Sequence, residues 1–376
     1  MNIPFNQIYT LDQSTRNVEE LINNPAKVSE KYYTKKCERL FEERYPGYQA
    51  LFVGSCTRAL ELIAMSLDLT ENDEVILPSF NYVGVANAFA QTGAKLVFAD
   101  LHSTYMNLTL ESIQKCISSS TKAVVLMNYA GVSFELEKIK TFCGQNNLIL
   151  IEDNAQGIGA YHKGKRLGSF GDFSCISFDS LKNISCGEGG VLLFRPVFKD
   201  KIETIFHNGT NRVAFEKGKV DAYEWVSIGS KFAISEFSSA ILYPLLIKED
   251  LIIKERKEKW DMLYNALYQI EKVRPFLPDT MKDEKHNAHI FYLLFDNRNK
   301  RDVVMKRLQN AGIQCYSHYT PLHISIFGLS ANYNMPEDKH TQTKSACLLR
   351  LPMFNKLSKA QIAKISEEMK EALSDL

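Results

Sequence analysis

Short apolar runs alternate with helix-like patterns through the first two-thirds of the chain. Each run is rich in Val, Ile, Leu or Phe and is bounded by turn or helix signals, which is typical of buried strands. Stretches such as CTRALELIAMSLDL instead carry apolar residues at helical spacing. The predicted strands are EVIL (74–77), AKLVFAD (94–100), KAVVLMN (122–128), NLILIED (147–153), FSCISF (173–178) and GGVLLF (189–194).

The alternation of strands and helices predicts an α/β fold with a mostly parallel central sheet. Near residue 245 the pattern changes, so we predict a large domain over residues 1–245 and a smaller α+β domain over 246–376. The predicted elements of the smaller domain are a long helix with charged faces at 248–271, a strand at 288–295, a helix at 301–313 and an amphipathic helix at 358–376.

The composition and charge of the chain exclude several classes of protein. The 376 residues are 45% hydrophobic and 24% charged, as in soluble globular enzymes, and the net charge of +1 offers no field for nucleic acid or a membrane. No apolar run reaches membrane-spanning length, and the N-terminus lacks the pattern of a signal peptide. None of the eight cysteines forms a C-x-x-C pair, so we expect no metal, and free thiols fit a reducing compartment. We expect a cytoplasmic protein.

A turn of small residues opens onto the helical pattern that begins near Cys56. Free N–H groups at a helix start bind phosphate well, helped by the helix dipole and by the hydroxyls of Ser55 and Thr57. The alternative is ordinary helix capping by the same residues.

Asp153 ends a predicted strand, and ligands of parallel sheets bind beyond the carboxyl ends of strands. An acid there faces the ligand side of the sheet. The alternative is a helix N-cap, which Gln156 would complete as a capping box.

Lys182 lies between a predicted strand and the Gly-rich turn GEGG, within ISFDSLKNISCGEGG. Such a lysine is either a solvated surface residue or the group that bonds covalently to a cofactor. The order of phosphate-type helix start, strand-end acid and later lysine is the set that pyridoxal phosphate (PLP) requires for its phosphate, its pyridine nitrogen and its aldehyde. Tyr82 falls at the same rim, where it either stacks on the pyridine ring or packs in the core.

Taken together, several motifs resemble the sugar-nucleotide aminotransferases of the DegT family, which have the type I aspartate-aminotransferase fold. The resemblance spans essentially the whole chain. The motifs are IPFN, SCTRALE, DEVILPSF, YAGV, IEDNAQ, SFDSLKN, GEGG, GTNR and HYTPLH.

The resemblance implies roles for individual residues. It makes Lys182 the lysine that bonds the cofactor, Asp153 the acid on the pyridine nitrogen and Tyr82 the stacking aromatic. Active sites in this family are shared between two subunits, which implies a homodimer. The further roles are Gln156 beside the ring hydroxyl; Ser177 and the amides of Cys56 and Thr57 on the phosphate; Ser230 on the partner's phosphate; and His318, Tyr319 and His323 on the sugar side.

The resemblance also implies a ping-pong transfer from L-glutamate to a keto-sugar nucleotide. SFDSLKN is similar to members that aminate C4 of dTDP-4-keto-6-deoxyglucose. Asp179 replaces a histidine of the galacto-forming members, and Asn81 replaces a common threonine. We therefore favour dTDP-4-amino-4,6-dideoxyglucose, for cell-surface polysaccharide such as O-antigen, as the product.

The alternatives are the galacto product, a C3 or UDP-sugar aminotransferase, and a non-catalytic nucleotide-sugar-binding regulator. Related dehydratases carry histidine in place of the lysine, so Lys182 argues against that class.

Overall fold

The computed structural model describes residues 1–279 and 284–374. The strands are β1 (Gln49–Val53), β2 (Glu74–Pro78), β3 (Lys95–Ala99), β4 (Thr121–Met127), β5 (Ile149–Asp153), β6 (Tyr161–His162), β7 (Lys165–Arg166), β8 (Phe173–Ser177), β9 (Gly190–Phe194), β10 (Glu284–Lys285), β11 (Phe291–Leu294) and β12 (Leu348–Leu351). The helices are α1 (Asp12–Asn23), α2 (Pro25–Ser29), α3 (Tyr32–Arg44), α4 (Cys56–Ser66), α5 (Val83–Ala90), α6 (Leu110–Gln114), α7 (Leu136–Gln145), α8 (Lys199–Phe206), α9 (Arg212–Glu216), α10 (Glu236–Ile247), α11 (Glu249–Tyr268), α12 (Arg298–Asn310), α13 (Ile326–Ser330), α14 (Thr341–Cys347) and α15 (Lys359–Ser374).

Seven strands form the central sheet, in the order β1-β9-β8-β5-β4-β2-β3. β5 pairs in parallel with β4 and β8, and β2 pairs in parallel with β3 and β4. β9 pairs antiparallel with both β1 and β8, so β1 runs in the same direction as the other five strands. The carboxyl ends of β1, β2, β4, β5 and β8 therefore meet at one edge, where ligands of such sheets bind.

The predicted α/β fold with a mostly parallel sheet is confirmed, and all six predicted strands are present. The sequence interpretation missed β1, whose residues are QALFV. Its alternate residues are only partly buried, because it is the edge strand of the sheet.

The C-terminal part contains the two-stranded antiparallel sheet β11–β12 with α11, α12 and α15 around it. Its core also includes Ile3, whose backbone pairs with Ile313. α12 begins three residues before the predicted start because the Asn297 side chain caps it, accepting from the Lys300 N–H at 2.9 Å. The last two residues of the predicted C-terminal helix lie outside the described residues.

The boundary at residue 245 falls within α10, and the division into two domains stays a prediction. Among the helices of the described ranges, none combines the length and the apolar character needed to cross a bilayer.

Candidate active site

A cavity of about 690 Å³ lies at the carboxyl edge of the sheet, closed on its other side by the C-terminal part of the chain. Most of the predicted site residues line it, although the sequence separates them by up to 264 positions (55 to 319). They are Ser55, Cys56, Thr57, Tyr82, Asp153, Gln156, Ser177, Asp179, Lys182, His318 and Tyr319.

The N-terminus of α4 opens into this cavity. Ser55 caps the helix, since its Oγ accepts from the Arg58 N–H at 3.2 Å, so the capping interpretation is correct. The N–H groups of Cys56 and Thr57 belong to the first turn, which has no intrahelical partners for them. A Cβ at Gly190 would lie 2.6 Å from the Cys56 nitrogen, so only glycine lets β9 pass this close. Ser55 therefore caps this helix, while the N–H groups of its first turn stay available to bind an anion.

Asp153 ends β5 with its side chain buried. No helix follows it, so the N-cap alternative is wrong. Its Oδ1 accepts one hydrogen bond from the Ala155 N–H at 3.2 Å, and burial raises the pKa of this carboxyl group. A buried carboxylate with one weak partner is stabilised by a cationic donor placed opposite it.

Lys182 follows β8 in a tight turn, where its N–H donates to the Asp179 carbonyl oxygen at 2.9 Å. The side chain lines the cavity rather than extending into solvent. Burial lowers the pKa of the amine, while the nearby carboxylates of Asp153 and Asp179 oppose that shift. An amine with a lowered pKa is more often neutral, which a nucleophile or a base requires.

Gln156 connects the floor of the cavity to its aromatic side. Its Oε1 accepts from the Ala130 N–H at 2.7 Å, and its Nε2 donates to the Tyr319 hydroxyl at 3.3 Å. It completes no capping box, because no helix begins here. The His318 ring stacks on Tyr319 at 3.6 Å, and its Nδ1 pairs with the Tyr129 hydroxyl at 2.8 Å. Burial lowers the pKa of His318 well below its ordinary value, so the ring is neutral.

Tyr82 precedes α5 and is 55% exposed, so the core-packing alternative is wrong. Its ring lies against α5, where a Cβ at Gly84 would come within 2.7 Å of it and within 2.8 Å of the Thr57 hydroxyl. The ring is therefore held beside the helix start while one of its faces stays open.

A hydrogen-bonded pair of asparagines joins the Lys182 turn to the C-terminal part. The Asn183 side chain donates to the Asn287 carbonyl oxygen at 2.9 Å and contacts His289 Nδ1 at 2.9 Å. Asn287 Nδ2 donates to the carbonyl oxygens of Gln156 at 2.7 Å and Ile158 at 2.8 Å. These bonds fix the lysine turn relative to the opposite wall.

Two arginines of that wall also line the cavity, and the sequence interpretation missed both. Arg256 donates to three backbone carbonyl oxygens, those of Ala288 at 2.8 Å, His289 at 3.1 Å and Met353 at 2.7 Å. Arg350, on β12, has a buried Nε without a hydrogen-bond partner among the described residues. Neither position carries a sequence signal, because Arg256 is one charge among many on α11 and Arg350 sits inside an apolar strand.

Two predicted site residues lie outside the cavity. His323 has both ring nitrogens engaged, by Ser79 Oγ at 2.6 Å and by Asp338 at 2.9 Å, and these contacts turn the ring away from the cavity. Ser230 lies at the surface beside Arg58 and Phe232.

Three possible metal ligands lie close together, and two of them, Cys56 and Asp153, line the cavity. The sulfur atoms of Cys56 and Cys175 and a carboxylate oxygen of Asp153 lie within 4.8 Å of one another.

The residues present fit PLP. Among the described residues, the buried Asp153 carboxylate forms no ion pair, and the helix start of α4, the Ser177 hydroxyl and the Lys182 amine line the same cavity. These groups match the cofactor: Asp153 suits its pyridine nitrogen, the helix start and Ser177 suit its phosphate, and Lys182 suits its aldehyde.

Comparisons with known proteins identify aminotransferases as similar in sequence and in structure. The sequence profile of the "DegT/DnrJ/EryC1/StrS aminotransferase family" matches residues 11–370. The chain is 30% identical over 332 residues to the dTDP-4-dehydro-2,3,6-trideoxy-D-glucose 4-aminotransferase of Saccharopolyspora spinosa, covering 86% of this chain and 84% of that protein. It is 28% identical to the GDP-perosamine synthase of Escherichia coli O157:H7, covering 99% of both chains. The structure of the aminotransferase TlmJ from Streptoalloteichus hindustanus superposes with a TM-score of 0.88 at 24% identity, covering 99% of both chains.

Proposed function

The chain belongs to the DegT/DnrJ/EryC1/StrS aminotransferase family and is a PLP-dependent transaminase, and from this premise we propose its substrates and the roles of its residues. It transfers the amino group of L-glutamate to C4 of dTDP-4-keto-6-deoxy-D-glucose. The product is dTDP-4-amino-4,6-dideoxy-D-glucose. The observation that carries the proposed roles is that Lys182 and Asp153 face one cavity beside the helix start of α4.

PLP, when bound, supplies an aldehyde for amine exchange and a ring that takes up the electrons of the substrate's α-carbon. Lys182 would hold the cofactor through its aldehyde, and Asp153 would keep the pyridine nitrogen protonated. The amides of Cys56 and Thr57 would hold the phosphate, together with the hydroxyls of Ser55, Thr57 and Ser177. Tyr82 stacks on the ring with its open face, and Gln156 lies beside the ring hydroxyl.

Once the amino donor displaces it, Lys182 becomes the proton carrier. Burial keeps a fraction of its amine neutral, so it can accept the proton from the donor's α-carbon. Lys182 Nζ would hold this proton close to the reacting carbon and return it during the transfer. Asp153 would carry the negative charge opposite the protonated pyridine nitrogen of the bound cofactor. The same steps run in reverse on the keto-sugar, which explains how one site serves two unlike substrates.

The choice of C4 and of a dTDP sugar is supported by sequence likeness. The Saccharopolyspora relative is named as a 4-aminotransferase of a dTDP sugar, whereas the Escherichia relative is named for a GDP sugar. Asp179 lines the cavity, and Asn81 is buried immediately before Tyr82. Both positions depart from the galacto-forming pattern, so we propose that they turn the sugar to give the gluco product. His318 and Tyr319 contact the sugar.

We propose a homodimer with shared active sites. The segment before Ser230 exposes large apolar side chains, with Trp225 at 78% and Ile228 at 74%. Exposed apolar clusters of this kind mark protein–protein contacts, and Ser230 reaches the partner's phosphate group from there. Sedimentation velocity tests this proposal: Ile228→Glu should give an inactive monomer, and an active monomer of the unmodified chain would contradict it.

The substrate proposal is tested by incubating the enzyme with dTDP-4-keto-6-deoxyglucose and L-glutamate and analysing the product by NMR. The coupling constants around C4 distinguish an equatorial amine, which is the gluco product, from an axial one, which is the galacto product. An axial amine would make Asp179 and Asn81 irrelevant to orientation. No conversion, together with turnover of a GDP- or UDP-keto-sugar, would refute the nucleotide assignment.

A further inference from the structure

We propose that His289 is a positioning residue for the proton transfer, and that its Nε2 accepts a hydrogen bond from the Lys182 amine whenever this amine is not bonded to the cofactor. His289 lies two residues before β11, on the wall of the cavity opposite the sheet edge. The proposal rests on the proposed role of Lys182 as proton carrier, and it adds the group that holds the amine in place.

The orientation of the His289 ring is fixed from several sides. Its backbone N–H donates to Asn287 Oδ1 at 3.1 Å, and its carbonyl oxygen accepts from Arg256 Nη2 at 3.1 Å. The ring itself pairs through Nδ1 with Asn183 Oδ1 at 2.9 Å. The ring therefore cannot turn without losing its bond to Asn183, the residue that follows Lys182.

The partners of Asn183 determine which nitrogen of the His289 ring carries the proton. Asn183 Nδ2 donates to the Asn287 carbonyl oxygen at 2.9 Å, so its Oδ1 is an acceptor and His289 Nδ1 donates to it. In a neutral ring the other nitrogen, Nε2, then has a free lone pair. Nε2 has no hydrogen-bond partner among the described residues and is open to the cavity. It is therefore an acceptor available to a donor inside the cavity.

Positive groups around the His289 ring keep it neutral. Burial lowers the pKa of His289 well below its ordinary value, and the charge of Lys182 is the next contribution. The remaining contributions come from Arg256, Arg350 and His318. Because such an influence falls with distance, the Lys182 amine lies near the ring, where a neutral acceptor does not repel its protonated form.

The other groups near the Lys182 amine are less suited to hold it. They are Cys56, Asp153, Asp179 and Arg350. Asp153 is assigned to the pyridine nitrogen, and Asp179 Oδ1 accepts from a backbone N–H of the lysine turn at 3.0 Å. A thiol is a weak acceptor, and an arginine only donates. The His289 ring is thus the acceptor on this wall.

A hydrogen bond to His289 would give the freed amine a fixed place. A neutral amine that donates one N–H to Nε2 keeps its lone pair, which accepts the proton from the donor's α-carbon. Lysine is a flexible side chain, so holding Nζ near the reacting carbon raises the fraction of productive arrangements.

The two ring nitrogens of His289 can be separated by substitution. His289→Asn places an amide nitrogen near the position of Nδ1, so the contact with Asn183 is kept and Nε2 is lost. His289→Gln places an amide oxygen near the position of Nε2, so an acceptor for Lys182 is kept. His340→Asn is the matched control, since His340 directly precedes α14 and lies outside the cavity.

The first measurement is the labelling of the Lys182 amine by acetic anhydride as a function of pH, read by peptide mass spectrometry. The enzyme carries the cofactor in its amine form, so Lys182 is free. An acceptor binds an ammonium group more strongly than an amine, so His289→Asn should lower the pH midpoint of labelling by about one pH unit. His289→Gln and the control should keep the wild-type midpoint. A loosened cavity would instead admit water and raise the midpoint.

Single-turnover kinetics of the donor half-reaction give the second measurement. At saturating L-glutamate, His289→Asn should slow the reaction by about tenfold, and His289→Gln should recover most of the rate. The apparent Kd for L-glutamate should not change, because the proposed contact is with Lys182 and not with the donor. Retained cofactor absorbance and an unchanged temperature of thermal unfolding show that the variants are folded.

The proposal is overturned if the labelling midpoint of His289→Asn is unchanged or rises, or if His289→Gln shifts it as much as His289→Asn does. An unchanged midpoint with weaker binding of the keto-sugar would also overturn it, and would assign Nε2 to a sugar hydroxyl. The proposed role of Lys182 is tested separately, since the aldehyde form of the cofactor should protect the amine from labelling. A lack of protection would refute that role, while the midpoints still decide the contact with His289.

Discussion

The two walls of the cavity are built in different ways. On the sheet-edge wall, Ser55, Asp153 and Ser177 come at or directly after the ends of strands that run in one direction. On the opposite wall, Arg256 sits in the middle of α11 and Arg350 inside β12. The functional side chains of the first wall are positioned by the order of the strands. Those of the second wall are positioned only by tertiary packing. The first wall should therefore carry the cofactor chemistry, and the second should contribute mainly to the stability of the fold.

The largest effect is expected on the sheet-edge wall. Lys182→Ala should abolish turnover and the visible absorbance of the lysine-bound cofactor, because the amine forms that bond and carries the proton. Lys35→Ala, on the exposed surface of α3, is the control and should behave as the wild type. Unchanged activity of Lys182→Ala, measured by coupled assay and by absorbance, would remove the basis of the proposed mechanism.

Asp153→Asn tests the same wall with a smaller change. The uncharged amide cannot hold the pyridine nitrogen protonated, so the rate should fall by about a hundredfold or more. Single-turnover kinetics of the donor half-reaction measure this loss. Asp250→Asn, an exposed acid in the first turn of α11, serves as the control. A near wild-type rate would mean that the carboxylate does not tune the ring.

Arg256→Met tests whether the second wall is structural. The substitution leaves the carbonyl oxygens of Ala288, His289 and Met353 without their charged donor, which should cost about 3 kcal/mol of unfolding free energy. Urea unfolding measures it, and the cofactor absorbance of the folded variant should persist. An unchanged free energy of unfolding in Arg256→Met would contradict the structural role of this arginine.

His286, three residues before His289 of the second wall, makes the stability of the folded chain depend on pH. Its ring packs on Trp260 at 4.5 Å, and burial lowers its pKa to about 4. As pH falls through the range from about 6.5 to about 4, the unfolded chain binds a proton that the folded chain does not, so stability is lost. At about pH 5 the free energy of unfolding should be about 2 kcal/mol lower than at neutral pH. Urea unfolding at two pH values measures this loss. His286→Asn should reduce the dependence of the free energy of unfolding on pH, and an unchanged dependence would contradict this origin.

The difference between the walls also explains what the sequence could predict. Six strands and the placement of Asp153 and Lys182 followed from apolar runs and from the rule on strand ends. β1 was missed because an edge strand is half exposed, and Arg350 because an apolar strand with one charge resembles any partly exposed strand. His323 was placed by motif alone, and its contacts with Ser79 and Asp338 depend on a long-range approach that no local pattern encodes.

Asn287 links the C-terminal part of the chain to two segments of the cavity. It bonds the Gln156 and Ile158 carbonyl oxygens on one wall and accepts from Asn183, the neighbour of Lys182. A displacement of the C-terminal part would therefore pull on both the Gln156 loop and the lysine turn at once. We therefore expect the exchange of two differently sized substrates to be accommodated at the mouth of the cavity, where Tyr82 is exposed, while the lysine turn keeps its position relative to the floor.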